Sequence, residues 1–327
     1  MPRACPAEFH ACCYTTAIPI HTLRCRGLAP RSFTFAGDQM RMQPYTLDEL
    51  KFAYQYRVYV RFHTHCRRPI PALQQIATPP LNELLEPYHV HVLESAASPI
   101  DLRTLLSLRP TDSVSIAVSK LKGRVSKWLT EHAKEGQAQR HLGHGYFACT
   151  TGDSSRAMVS RYLDQQGKHH GYTADSYAHP PVLVLHGKID EGRLRADHAA
   201  TVLQFHVVLA TEGRRGVFHT EAAERVAQMW MDVVGSQRAA LVKASFLPDH
   251  VHLALQLHPA AVSTQVVIEL MNRAQELMMT DFEAEIVRAG VRRLWQPSAY
   301  VGSYGDLETP KIRRYIERFE RDAGNES

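Results

Sequence analysis

The sequence predicts an α+β protein built from two copies of one domain. Three observations predict it. One succession of motifs occurs twice, about 150 residues apart, and repetition at a long period marks duplicated units. Short apolar and aromatic runs alternate with polar residues, the period-two signature of half-buried strands. Between these runs, apolar residues recur at helical spacing over segments of about 11–15 residues.

The elements follow in order. VYVRFHTHCRRPI (58–70) and FHVVLATEGRRGV (205–217) each carry a strand into a turn with paired arginines, Arg67-Arg68 and Arg214-Arg215. SPIDLRTLLSLRP (98–110) aligns without a gap on LPDHVHLALQLHP (247–259), with Pro99 on Pro248, Leu106 on Leu255 and Pro110 on Pro259. Both segments lead into helical patterns, SKLKGRVSKWL (119–129) and IELMNRAQELM (268–278). The last pair is GYFACTTGDSSRAMVSRYLDQQ (145–166) and AYVGSYGDLETPKIRRYIERF (299–319), in which Gly152 and Gly305 each stand ten residues before a tyrosine, Tyr162 and Tyr315. Thr309-Pro310 is a helix start, a cap residue followed by proline in the first turn, and Asp153, Ser154 or Ser155 can cap the helix that carries Tyr162. The domains are therefore expected at 45–168 and 200–327, with 1–44 a poorly ordered extension and 169–199 a linker. The linker region opens on the Gly-, His- and Pro-rich GKHHGYTADSYAHPP (167–181), and VLVLH (182–186) offers an edge strand.

Composition sets the outer bounds. The 327 residues are 44% apolar and 22% charged, which fits a globular chain and excludes collagen, coiled coil and wholesale disorder. No run approaches the roughly 18 apolar residues of a membrane span. The formal charge of +5 permits a polyanionic partner. Four of the six cysteines (Cys5, Cys12, Cys13 and Cys25) fall near the start, with His10 and His21 close by, but their spacing matches no recognised zinc pair. The first residues lack a continuous apolar signal core, so a reduced, cytoplasmic protein is expected.

Three His-x-His pairs occur: His63/His65, His89/His91 and His250/His252. On a strand, alternate side chains share a face, so His250 and His252 project two imidazoles together, a good start for a divalent metal site, whereas His89/His91 lies on an earlier strand of the repeat, where the other copy has Arg238 and Ala240, and reads as a decoy. Only His250/His252 follows a Pro-Asp turn and opens a long apolar strand. His63/His65 leads into the Arg67-Arg68 turn, where phosphate contact or solvation suits it better. In the helix at 119–129, Lys120, Arg124 and Lys127 follow i, i+4, i+7 spacing, with Lys122 beside them. This basic face suits a nucleic-acid backbone, or plain solvation.

PDHVHLALQL, a helix, AYVGSYGD and then a helix with RRYIERF together resemble the single-tyrosine HUH transposases of bacterial insertion sequences, whose plan the REP-associated transposases share. The resemblance covers the second copy and, more faintly, residues 54–166, as a tandem fusion. It implies two ferredoxin-like or RRM-like domains, each an antiparallel sheet with packed helices, arranged as a pseudo-dimer. It implies Mg2+ or Mn2+ on the histidine pair and a scissile phosphate in single-stranded DNA, hairpins included. A helix tyrosine attacks that phosphate and leaves a 5′-phosphotyrosine and a 3′-OH. The family's third metal ligand is a Gln one turn after the tyrosine, and in many members the tyrosine of one subunit completes the histidine site of the other.

Departures from that pattern are complementary. The first copy has Asp101 and Arg103 at the histidine positions but keeps Tyr162 and Gln166; the second keeps His250 and His252 but has Phe319 where the Gln belongs. A site built across the two copies would be complete once: Tyr162 as nucleophile, with His250, His252 and Gln166 on the metal. Arg67, Arg68, Arg214, Arg215 and the lysine-rich helix would contact DNA. The alternatives are a site within the second copy using Tyr315, with a group such as Glu320 in place of Gln, and an inactive DNA-binding protein. An RRM-like RNA-binding module is disfavoured, because neither copy shows the aromatic-rich strand motif of base stacking. Further oligomerisation of the fused chain stays open.

Overall fold

Alternation along the strands builds one sheet with two unlike faces. The structure, a computed structural model, describes residues 43–76, 78–132, 140–166, 183–187, 189 and 191–307. Among these, ten strands form a single sheet. The first half supplies β1 (Lys51–Gln55), β2 (Arg57–His63), α1 (Thr78–Leu85), β3 (His91–Ala97), β4 (Asp101–Ser107), α2 (Val114–His132), β5 (Tyr146–Thr151) and α3 (Arg156–Asp164). Then come β6 (Leu183–His186) and a short helix, α4 (Glu191–Leu194). The second half supplies β7 (Ala199–Thr211), α5 (Thr220–Ser236), β8 (Ala239–Leu247), β9 (His250–Leu257), α6 (Ser263–Asp281), α7 (Glu283–Ala289) and β10 (Trp295–Tyr304).

The strand order is the same in both halves: β3-β4-β2-β5 and β8-β9-β7-β10, with β6 on the outer edge of β8. On β2, Val58, Val60 and Phe62 are buried in the main core while Arg57, Arg61 and His63 point to the opposite face. On β9, Val251, Leu253 and Leu255 enter the same core, and His250, His252 and Ala254 take the other face. Helices α2, α5 and α6 cover the core face with apolar stripes, among them Leu121, Val125 and Leu129 of α2 and Val267, Leu270, Met271 and Ala274 of α6. The core includes both buried tryptophans, whose indole N–H groups donate to helix carbonyls: Trp230 to Leu270 at 2.8 Å and Trp295 to Met271 at 3.2 Å.

The repeat read in the sequence carries into backbone detail. Thr64 and Thr211 precede matching 3-10 turns, His65–Arg67 and Glu212–Arg214. The last two residues of each turn are left-handed: Cys66 and Arg67 in one, Gly213 and Arg214 in the other. VLVLH contributes β6 at the sheet edge, as expected. The extension with its cysteines, most of the linker, and Tyr315 and Phe319 lie outside the described residues.

The halves are not separate lobes, because they exchange contacts reciprocally. β1 runs parallel to β10, pairing Phe52 with Ala299, and the start of β7 runs parallel to β5, pairing Ala199 with Tyr146. Those two registers are the same once each residue is replaced by its repeat partner. The Thr150 hydroxyl donates to Tyr304 O (2.7 Å) and accepts from Gln204 N (2.7 Å). Its counterpart Ser303 donates to Thr151 O (2.7 Å) and accepts from Arg57 N (2.9 Å).

Glycine permits this approach. A Cβ on Gly152 would lie 2.3 Å from Ser303 O, and one on Gly305 would lie 2.2 Å from Thr150 O. Both neighbours are backbone and cannot swing away. We expect Gly152→Ala to lower stability by about 1–3 kcal/mol, the usual overpacking range, in urea unfolding. A wild-type midpoint and slope would show that the junction is looser than described.

Candidate active site

Local chemistry first orients the histidine pair. His250 opens β9, and its Nδ1 lies 2.6 Å from Asp249 Oδ1. A carboxylate only accepts, so that imidazole nitrogen is the donor and carries the proton. Asp249 is itself held by Arg214, whose Nε lies 2.9 Å from Oδ2. Burial lowers the His250 pKa, against the opposing pull of the Asp249 hydrogen bond. His252 stands two residues on, and the two ring centroids are 5.0 Å apart. Its Nδ1 faces Nε2 of His206 on β7 at 3.0 Å, with the rings stacked at 11°. Burial pushes the His206 pKa down to about 4, so at neutral pH it is an uncharged ring that does not repel a cation. Because both Nδ1 atoms are engaged, Nε2 is the atom each ring presents to a metal. Both Nε2 atoms are buried.

A helix of the other half meets this pair. Ser155 caps α3, accepting from Met158 N at 3.3 Å. Val159 and Leu163 then pack with Ala254 of β9 and Tyr304 of β10. Lys243, a buried lysine on β8, fastens the helix: its Nζ donates to Ser160 O (3.1 Å) and Oγ (2.9 Å) and pairs with Asp164 at 2.8 Å. This docking brings the Tyr162 ring into T-shaped contact with His252 and His206, with centroid distances of 5.5 and 5.9 Å. Gln166, four residues after Tyr162 and just past the end of α3, is fully buried. Its Nε2 donates to Tyr162 O at 3.0 Å, and its Oε1 has no hydrogen-bond partner among the described residues.

Two imidazole nitrogens are borderline donors and can hold a divalent transition-metal ion. Among the described residues no group of three or more His, Cys, Asp or Glu is arranged to hold a metal. A cation at the pair would take two imidazole nitrogens; the buried Gln166 amide oxygen is a further oxygen donor on the segment that carries Tyr162. Removing that oxygen from water without a partner is costly unless something satisfies it.

The corresponding place in the first half cannot do this. Asp101 and Arg103 occupy the registers of His250 and His252: Arg61 faces Arg103 across β2–β4 as Val208 faces His252 across β7–β9. Asp101 Oδ2 accepts from Arg61 Nε (3.0 Å), Arg61 Nη2 (2.5 Å) and Arg103 Nη2 (2.9 Å), and Ser98 Oγ donates to Oδ1 (2.9 Å). These donors, the Arg103 guanidinium first, hold the Asp101 pKa below the usual carboxylate range despite burial. A guanidinium offers no lone pair to a metal.

The basic residues read from the sequence are scattered. Arg214 serves Asp249, and Arg215 Nη1 donates to Ala289 O at 2.6 Å, closing the end of α7. Arg67 and Arg68 stand exposed beyond β2. On α2, Lys120 and Arg124 lie against the Tyr88 ring at 4.8 and 4.9 Å. Lys122 holds the carbonyls of Gly143 and His144 at 2.6 and 2.8 Å, and Lys127 pairs with Glu131 at 3.9 Å. His89 sits in a left-handed turn and His91 at the exposed start of β3. The groups that sequence reasoning missed are His206, Asp249 and Lys243. Lys243 had one visible signal, a lone cation inside the apolar run ALVKASFL.

The IS200-like transposase family matches the chain twice, at residues 54–166 and 199–319, together more than half its length. The chain belongs to that family and carries two tandem copies of its domain. It is 23% identical over 115 residues to the ISDra2 transposase TnpA of Deinococcus radiodurans, a match over 35% of this chain and 82% of that one. A crystal structure assigned as a transposase of Deinococcus radiodurans R1 is 26% identical, over 38% of this chain and 96% of its own, at a TM-score of 0.32. No helix among the described residues is long and apolar enough to cross a membrane.

Proposed function

We propose that this chain is a metal-dependent, single-stranded DNA strand transferase of the HUH type, a pseudo-dimer with one composite active site that acts in the cytoplasm. The observation that carries the reading is the 5.5 Å approach of the Tyr162 ring from the first half to the His252 ring of the second. His250, His252 and Gln166 would hold Mg2+ or Mn2+. Such an ion, when bound, polarises the scissile phosphate and offsets the charge that builds on it.

The protein's own part is positional. The Asp249 carboxylate fixes the proton of His250 on Nδ1, and His206 can accept from His252 Nδ1; both interactions set ring orientation. Lys243 and the Val159/Leu163 contacts hold α3 so that Tyr162 approaches from one direction only. The Tyr162 oxygen bonds to phosphorus as the P–O3′ bond breaks; the phenolic proton passes to solvent, and the leaving DNA 3′-oxygen takes up a proton from solvent to become a hydroxyl. The 5′-phosphotyrosine keeps the phosphodiester energy, so attack by a 3′-OH rejoins strands without ATP.

The test is a denaturing gel after incubating the chain with labelled single-stranded DNA from the flanks of its own gene. A protein–DNA adduct formed in Mn2+ and lost in EDTA is the expected result. Equal DNA binding with and without Mn2+, and no adduct, would make the chain a DNA-binding protein without chemistry.

A further inference from the structure

We propose that one sheet position, occupied by Lys243 in the second half and by Glu94 in the first, selects the half on which α3 docks and so keeps Tyr162 at the histidine pair; this rests on the composite-site reading above. The two residues are repeat partners by register. β8 sets Lys243 opposite Ala254 of β9, and β3 sets Glu94 opposite Leu105 of β4. Ala254 and Leu105 are themselves matched by the gapless alignment of 98–110 on 247–259. Each strand also breaks its register just before the residue, between Leu241 and Lys243 and between Val92 and Glu94.

The charge at this position is inverted between the halves. Lys243 is buried and directs its ammonium at α3: Ser160 O at 3.1 Å, Ser160 Oγ at 2.9 Å and Asp164 Oδ1 at 2.8 Å. Glu94 is half-buried at the same place, and an ionised carboxylate only accepts. Whatever else it contacts, Glu94 has no proton to give the Ser160 carbonyl, and it is a like charge to Asp164. The floor differs as well: Val159 and Leu163 pack on Ala254, and the bulkier Leu105 takes its place in the first half. α3 follows β5, which has β2, β4 and β3 on one side and β7, β9 and β8 on the other. Both halves are thus the same number of strands away, and the side chains at this position decide between them. The half that encodes α3 presents the unfavourable one.

The experiment follows hydrogen exchange of the α3 amides by mass spectrometry, on the full chain without DNA or metal. Lys243→Glu gives the second half the residue of the first, and α3 exchange is expected to quicken about 100-fold. Lys243→Met removes the charge without reversing it and should quicken exchange only about tenfold. Adding Asp164→Lys to Lys243→Glu should bring the rate back below that of Lys243→Met, as expected for two groups that act through each other. Unchanged exchange in α6 establishes that each variant is folded. If Lys243→Glu does not fold, Asp164→Lys against Asp164→Asn makes the same comparison from the helix side. Equal exchange in the charge-reversed and neutral variants, or no recovery in the double variant, overturns the proposal. Because neither DNA nor metal is present, absence of the Mn2+-dependent adduct with the recovery intact would remove the chemistry and leave the docking selection. An adduct without the recovery would remove the selection alone.

Discussion

Tyr162→Phe is expected to abolish the covalent protein–DNA adduct, by more than about a thousandfold, because no other group replaces a missing nucleophile. The substitution removes only the hydroxyl and keeps the ring that packs on His206 and His252. Its melting temperature should therefore stay near that of the wild type, separating chemistry from folding. Tyr315→Phe is expected to leave the adduct intact. The first copy has Asp101 and Arg103 at the histidine positions, locked in an ion-pair cluster. The reverse pattern, with loss only in Tyr315→Phe, would place the reacting site within the second copy and defeat the composite arrangement.

Removing an imidazole should be nearly as severe. His250→Ala and His252→Ala are each expected to lower Mn2+ affinity more than about 100-fold, read by calorimetric titration or by the paramagnetic signal of unbound Mn2+. Asp249→Asn should cost about 10- to 100-fold, the range for residues that orient a metal-bound histidine. An amide there can donate as well as accept, so it no longer fixes the proton of His250 on Nδ1. Arg214→Ala probes the same chain of contacts at greater distance and should have a smaller effect than Asp249→Asn. If the two histidine variants bind Mn2+ as the wild type does, the metal lies elsewhere.

Much of this was legible in the sequence because period and order are local properties. The gapless alignment of 98–110 on 247–259 set Asp101 and Arg103 against His250 and His252, and the β2–β4 and β7–β9 registers agree with it. The His-x-His spacing on an apolar strand put both rings on one face, as observed. Other features were hidden because they depend on which distant segment comes next to which. His206 has no histidine two residues away; it reaches His252 only because β7 pairs with β9. β1 reads poorly as a strand because its residues are mostly exposed and do not alternate. Its partner, β10, is supplied by the opposite half. Alternation says which way a side chain faces and nothing about the neighbour it finds. The docking of α3 on β9 is a tertiary contact that no pattern within the helix signals.

The crossed pairing of β1 with β10 also constrains how the chain is made. Lys51 meets Ser298, so the first of the described strands waits for the last of them before its edge is covered. Contacts of such sequence separation close slowly, and an uncovered strand edge invites association with other chains in the interval. A nascent first half, although it holds its own four strands and two of its helices, is thus an incomplete product until β10 emerges. Release of a prematurely terminated chain would expose β1 together with the Thr150 and Gly152 surface that Ser303 and Tyr304 normally cover. The linkage that makes two copies into one enzyme also makes the quality of the first depend on completion of the second.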